Sequence, residues 1–224
     1  MKRILLAAAC AASLTGTAAN AGVLVLNDGS SSTFNLPAFA NVTNSTIFNF
    51  NAGDPSASTS FAGFTRTGGL LLNGDSPQGA APETFGNAAS QFLSTVGGAS
   101  TTIQSLIGFD TVSFFLGSID SYNTVNILST TGAIIASFTG SQLSFTPNGN
   151  QELPQTNRRV TFTRTAADAQ IGGIGFASGV NSLEVDNLVF TVPEPSTWAM
   201  MIAGFGMIGF AMRTRRRKTS IVYA

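Results

Sequence analysis

Short alternations of apolar and polar residues, each closed by a turn signal, recur through the middle of this chain. In Val112–Gly117, Val112, Phe114 and Leu116 alternate with Ser113 and Phe115. In Arg159–Arg164, Val160 and Phe162 alternate with Arg159, Thr161 and Thr163. A period of two sends one set to a buried face of a strand and the other set to the opposite face. The same reading predicts strands at Val23–Leu26, Thr46–Phe50, Phe61–Thr65, Thr124–Leu128, Ala133–Thr139, Leu143–Phe145, Ile171–Ala177 and Leu183–Thr191. Steps such as Asn73-Gly74-Asp75 and Asn148-Gly149-Asn150 predict turns between them. A helical patch is expected around Asn87–Leu93, with a turn and strand as the alternative. No long amphipathic helix interrupts the pattern, which disfavours an α/β sheet. The expected fold is all-β, an antiparallel β-sandwich of jelly-roll type spanning residues 22–192.

The two ends carry different patterns. Lys2 and Arg3 precede a mostly apolar stretch, Ile4 to Leu14, and Ala19-Asn20-Ala21 follows as a small-x-small site. This order predicts a signal peptide over residues 1–21, removed before Gly22. Lipidation at Cys10 is disfavoured, because Ala7 stands where a lipoprotein signal prefers leucine and the apolar stretch before Cys10 is short. At the other end, Trp198–Met212 has fifteen residues and no charge, and Arg213, Arg215, Arg216, Arg217 and Lys218 follow. A membrane-spanning helix over 198–212 is expected, with the basic cluster as its cytoplasmic anchor and Trp198 at the interface. Its rise of roughly 22 Å is short for a bilayer.

Pro193-Glu194-Pro195, Trp198-Ala199, the glycine-punctuated run Gly204-Phe205-Gly206 and the basic cluster resemble, in that order, the PEP-CTERM sorting signal in its PEPxxWA variant. The same segment is also known as an ice-binding protein C-terminal domain. The resemblance covers about the last thirty residues, 193–218 holding the signal itself. It implies recognition of Pro193, Glu194 and Pro195 by an exosortase, a membrane-embedded cysteine transpeptidase that cuts the tail. It further implies export through the inner membrane of a Gram-negative bacterium, transient anchoring there, and a final place in the envelope, at the cell surface or in the extracellular matrix of a biofilm. Thr219–Ala224, beyond the basic cluster, depart from the pattern without touching the motif.

Removing both ends changes the charge. The whole chain is formally neutral, but residues 22–192 keep four arginines, Arg66, Arg158, Arg159 and Arg164, against ten acids, a formal charge near minus six. Such a body lacks the basic face that nucleic acid requires. It also contains no histidine, cysteine or lysine. Ser-His-Asp and Cys-His catalysis, Schiff-base chemistry and His/Cys zinc sites are therefore excluded from it.

Carboxylates remain as candidates. Glu184 and Asp186 lie two apart on an expected strand, on a face shared with Leu188 and Phe190, and together form a candidate calcium pair. A solvated strand edge is the alternative reading, and no other cofactor is expected. Paired acids also keep a carboxylate-dependent glycoside hydrolase open as a distant alternative. Asp120, Tyr122 and Asn123, at a strand junction, form the candidate ligand contact, against the alternative of a structural turn. Tyr122 is the sole tyrosine of residues 22–192. Thr161 and Thr163 form a threonine pair, but no repeat extends it into an ice-binding array. The functional expectation is a non-enzymatic exported protein, structural or binding. A module that binds exopolysaccharide is the alternative.

Overall fold

The computed structural model describes residues 22–26, 45–74, 76–80, 91–192 and 197–215. The expected signal peptide and the Pro193–Pro195 tripeptide lie outside them.

Two antiparallel sheets form the body. The first runs, in spatial order, β1 (Val23–Leu26), β11 (Arg158–Thr163), β8 (Thr111–Gly117), β13 (Leu183–Thr191), β6 (Gln91–Thr95) and β5 (Leu70–Asn73), with β2 (Ser45–Phe48) also paired to β13. The second runs β10 (Ile134–Thr139), β9 (Asn123–Ser129), β12 (Ile171–Ser178), β7 (Ser100–Phe109), β4 (Phe64–Thr67) and β3 (Ser60–Phe61). One apolar core joins them. It takes Val112, Phe114, Leu116, Val160 and Phe162 from the first sheet and Ile103, Val125, Ile127, Ile174 and Phe176 from the second. These are the inward positions of the alternating pattern, so the sandwich follows from it.

Several sequence expectations change. Phe61–Thr65 is two strands, because Ala62 and Gly63 both adopt positive φ, 49° and 82°, and turn the chain into a two-residue hairpin. Leu143–Phe145 is not a strand. Thr139 and Gln142 form a capping box over the helical turn Gly140–Leu143, and Phe145 is left exposed. The helical patch is replaced, from Gln91 onward, by β6; residues 87–90 lie outside the described residues. The alternating pattern does not predict β5 and β7. The inward set of β7, Thr101, Ile103 and Ser105, is mostly polar, and its alternation carries little hydrophobic signal.

The tail forms a helix, Thr197–Arg215, where one was expected. The expectation that it spans a membrane is corrected: among the described residues, no helix is long and apolar enough to cross one. The uncharged stretch ends at Arg213, and roughly 22 Å of helix falls short of a hydrocarbon core of about 30 Å.

The two sheets share a pair of poles. Asp110 alone connects β7 to β8, so Phe109, Thr111, Thr163, Ile171 and Thr191 gather at one end. There the Phe64 ring lies 5.2 Å from Phe48, 5.2 Å from Phe109 and 4.6 Å from Phe190, tying both sheets together. Arg164 Nε donates to Asp110 Oδ1 at 2.6 Å and closes this end. Gly117, Asn123, Ser178 and Leu183 lie at the other end.

Phe64→Ala removes the ring at the centre of that cluster and should cost about 3–5 kcal/mol. Phe145→Ala at the exposed position should stay within about 0.5 kcal/mol. Urea unfolding of the two variants checks both.

Candidate functional site

The pole opposite the tail carries an open cleft of about 180 Å³. Four chain segments wall it: Ser76, Pro77, Gly79 and Ala80; Ser118 and Asp120; Gly149 and Gln151; and Asn181, Ser182 and Glu184. Most of these walls are polar, and none is aromatic.

Glu184 enters the cleft from the start of β13 and is 1% exposed. Ser118 Oγ donates to its Oε2 and Ser182 Oγ to its Oε1. The backbone N–H groups of Ala80 and Glu184 itself donate as well. Burial raises its carboxyl above the ordinary value, and these donors offset part of that effect. Four donors fill the acceptor sites of one carboxylate. Glu184 therefore fastens the 76–80 segment to the sheet. Gly79 packs closely at this contact: a Cβ there would stand 3.2 Å from Glu184 Oε1 and 2.8 Å from Ser94 Oγ, so the side chains would have to shift.

Asn181 is tied down on both sides of its amide. Its Nδ2 donates to the Pro77 carbonyl at 2.9 Å, and its Oδ1 accepts from Gly97 N at 2.7 Å. Asp120 lies on the second segment, opposite Asn148 in an isolated bridge. Its carboxylate accepts the Tyr122 hydroxyl at 2.6 Å, with the Asn181 carbonyl 3.0 Å from the same hydroxyl. Gly149, at φ +69°, leaves room for that carboxylate; a Cβ would come within 2.6 Å of it. Burial, then the Asp120 contact, raises the Tyr122 phenol well above its ordinary value.

The structure thus divides the candidate triad. Asp120 lines the cleft, Tyr122 buttresses Asp120, and Asn123 is fully buried. The Asn123 amide accepts from Asp120 N at 2.7 Å and donates to Ser178 Oγ at 3.0 Å and to the Ser182 carbonyl at 3.3 Å.

Glu184 and Asp186 share a face, but Leu188 and Phe190 do not share it with them. Between Asp186 and Val189 the β13 register against β8 slips by one residue, and Asn187 sits at φ 47°. This bulge turns Leu188 and Phe190 into the core with Leu183 and Val185. The two acids also have separate surroundings. Asp186 Oδ1 accepts from Asn187 N at 2.7 Å, and its charge faces Arg159. Burial pushes the Arg159 guanidinium down to about 10, with Asp186 acting in the opposite direction. Arg159 itself donates to Ser113 Oγ at 2.9 Å and to the Asn187 carbonyl at 3.0 Å. Calcium takes six to eight oxygens. Among the described residues, no group of three or more acids, histidines or cysteines gathers to supply them. Each acid thus sits in its own hydrogen-bonded surroundings.

At the far end of β13, the Thr191 carbonyl accepts from Asp110 N at 3.0 Å. The chain then leaves the sheet through exposed Val192 and resumes as the helix Thr197–Arg215, which carries Trp198 and Ala199, while Arg216, Arg217 and Lys218 lie outside the described residues.

Residues 191–217 carry a PEP-CTERM protein-sorting motif. The PEP-CTERM match begins on Thr191, the last residue of β13. No curated protein matches the chain. Solved structures similar to it include a family 6 carbohydrate-binding module from Clostridium stercorarium in complex with cellobiose, at 16% identity and a TM-score of 0.33, covering 57% of this chain and 86% of that one. A family 29 carbohydrate-binding module matches at 11% identity and 0.36, covering 66% and 92%. The catalytic unit of a GH87 alpha-1,3-glucanase from Streptomyces thermodiastaticus matches at 15% and 0.34, covering 60% of this chain and 27% of that one. Likenesses this distant assign no ligand.

Glu184 generates a pH prediction. Its folded carboxyl is raised, so ionisation is disfavoured in the fold. Its contribution is most favourable below the ordinary value of 4.5 and is lost as pH rises through the raised value. Between about pH 7 and about pH 5, the Tm of the wild type should rise relative to that of Glu184→Gln. A difference that does not change with pH would contradict a raised carboxyl.

Proposed function

We propose that this chain is exported, sorted by an exosortase that reads Pro193, Glu194 and Pro195, and delivered to the envelope or extracellular matrix of a Gram-negative bacterium. Its body serves there as a non-enzymatic structural or binding module. The PEP-CTERM motif on the strand-end residue Thr191 carries this reading. The four-donor shell of Glu184 argues for a structural carboxylate in the cleft, not a general acid. Intact mass and cell fractionation test the sorting: Pro193→Ala with Glu194→Ala should leave the tail uncut and shift the protein to the membrane fraction. Unchanged mass and location would sink it.

A saccharide-binding role for the body is the second reading, favoured by the open polar cleft. Asp120 and Gln151 present hydrogen-bonding groups there. The Tyr122 hydroxyl is engaged by Asp120, and no aromatic platform lines the cleft, so recognition would rest on hydrogen bonds to hydroxyl groups. Against exopolysaccharide purified from the producing cells, Asp120→Asn should weaken binding about tenfold, the scale of one charge-assisted hydrogen bond. Equal affinities in titration calorimetry would exclude this cleft.

A further inference from the structure

The pole from which the tail leaves is apolar at its rim. β7 bears a bulge there: Gln104 pairs with Gly173 and Phe109 with Ile171, so four residues of β7 stand against one of β12. The bulge projects Leu106 and Ile107, which are 87% and 55% exposed. Ser105 Oγ accepts from Ile107 N at 3.0 Å and fixes the loop, and Gly63 at the β3–β4 turn lies against the Ile107 side chain. Ile134, the first residue of β10, is 61% exposed at the same pole, and Val23 and Val192 add to the rim. Asp110 pairs with Arg164 there, and the Asp168 carboxylate on the neighbouring turn accepts from Thr165 N and Oγ1.

Thr191 and the first helical residue, Thr197, are six residues apart and at most about 20 Å apart. The helix is apolar on every side: Ile202, Phe205, Met207, Ile208, Phe210 and Met212 are all exposed. It therefore does not pack its apolar surface on the sandwich, and a helix without a polar face finds favourable surroundings in lipid. Arg213 and the basic residues after it suit anionic headgroups. A helix seated in one leaflet brings this pole to the bilayer surface, because the connection is so short.

We propose that the Leu106–Ile107 bulge, with Ile134 at the same pole, is a lipid-contact surface that docks the sandwich, tail pole down, on the membrane. The cleft then faces away from the bilayer: Glu184 and Thr191 stand roughly 23 Å apart along β13.

The test uses the full chain with Cys10→Ala, so that no native cysteine remains. Single cysteines placed by Leu106→Cys and, at the opposite pole, Phe145→Cys carry an environment-sensitive fluorophore. The probe is vesicles of phosphatidylethanolamine and phosphatidylglycerol, with and without brominated acyl chains. Bromolipid should quench the label at residue 106 at least twofold more than the label at residue 145. Equal quenching at both sites, no quenching at either, or failure to bind the vesicles overturns the proposal.

Discussion

One extra residue in β13 sets the chemistry of both faces of the first sheet. β13 pairs with β8 along its length, with β6 at its start and with β2 at its end, and the bulge at Asn187 lies where the second partner changes. Before the bulge, the outward positions are Glu184 and Asp186. After it, Leu188 and Phe190 turn inward. Unbroken alternation would aim either two carboxylates or two large apolar side chains into the wrong layer. A slip of one residue exchanges the faces of a strand, and here it lets one strand supply a polar start and an apolar end.

That division organises the two poles. At the apolar end, Phe48, Phe64, Phe109 and Phe190 hold the sheets together by ring contacts. At the polar end side-chain hydrogen bonds hold the strand ends and loops: Glu184 to the serines, Asn181 to two loops, and Asn123 to Ser178 in its own sheet and to the Ser182 carbonyl beside β13. No disulfide supports either end, since residues 22–192 have no cysteine. The buried Arg159 extends the same logic, with Ser113 and the Asn187 carbonyl as its acceptors. Buried polar groups of this kind favour one register over its neighbours only while each keeps its partner.

The sequence made the strands with inward Val, Ile and Phe legible: β8, β9, β11 and β12. It concealed β7, whose inward face is largely hydroxyl, and it concealed the bulge, because alternation assumes a regular strand. Asp120 and Tyr122 were legible as a junction rich in hydrogen-bonding groups. Ser118, Gln151 and Asn181 were not, because they meet only after loops distant in sequence are brought to one pole. The Gly79 and Gly149 contacts left a faint signal as glycines in turns, but nothing indicated which carboxylates they accommodate. The tail was the reverse case. Its order of tripeptide, tryptophan, apolar run and arginines is local, so the sorting motif needed no fold to be read.

Thr191 belongs to two things at once, the final rung of a central strand and the first residue of the sorting motif. The border between cargo and label is therefore a hydrogen bond, Asp110 N to the Thr191 carbonyl, with no flexible spacer before it. Severing the chain beyond Val192 takes away no rung of either sheet, so the label is disposable to the cargo. The converse does not hold: an enzyme that grips the label meets the sheet almost at once, and so handles the folded body as a rigid stop.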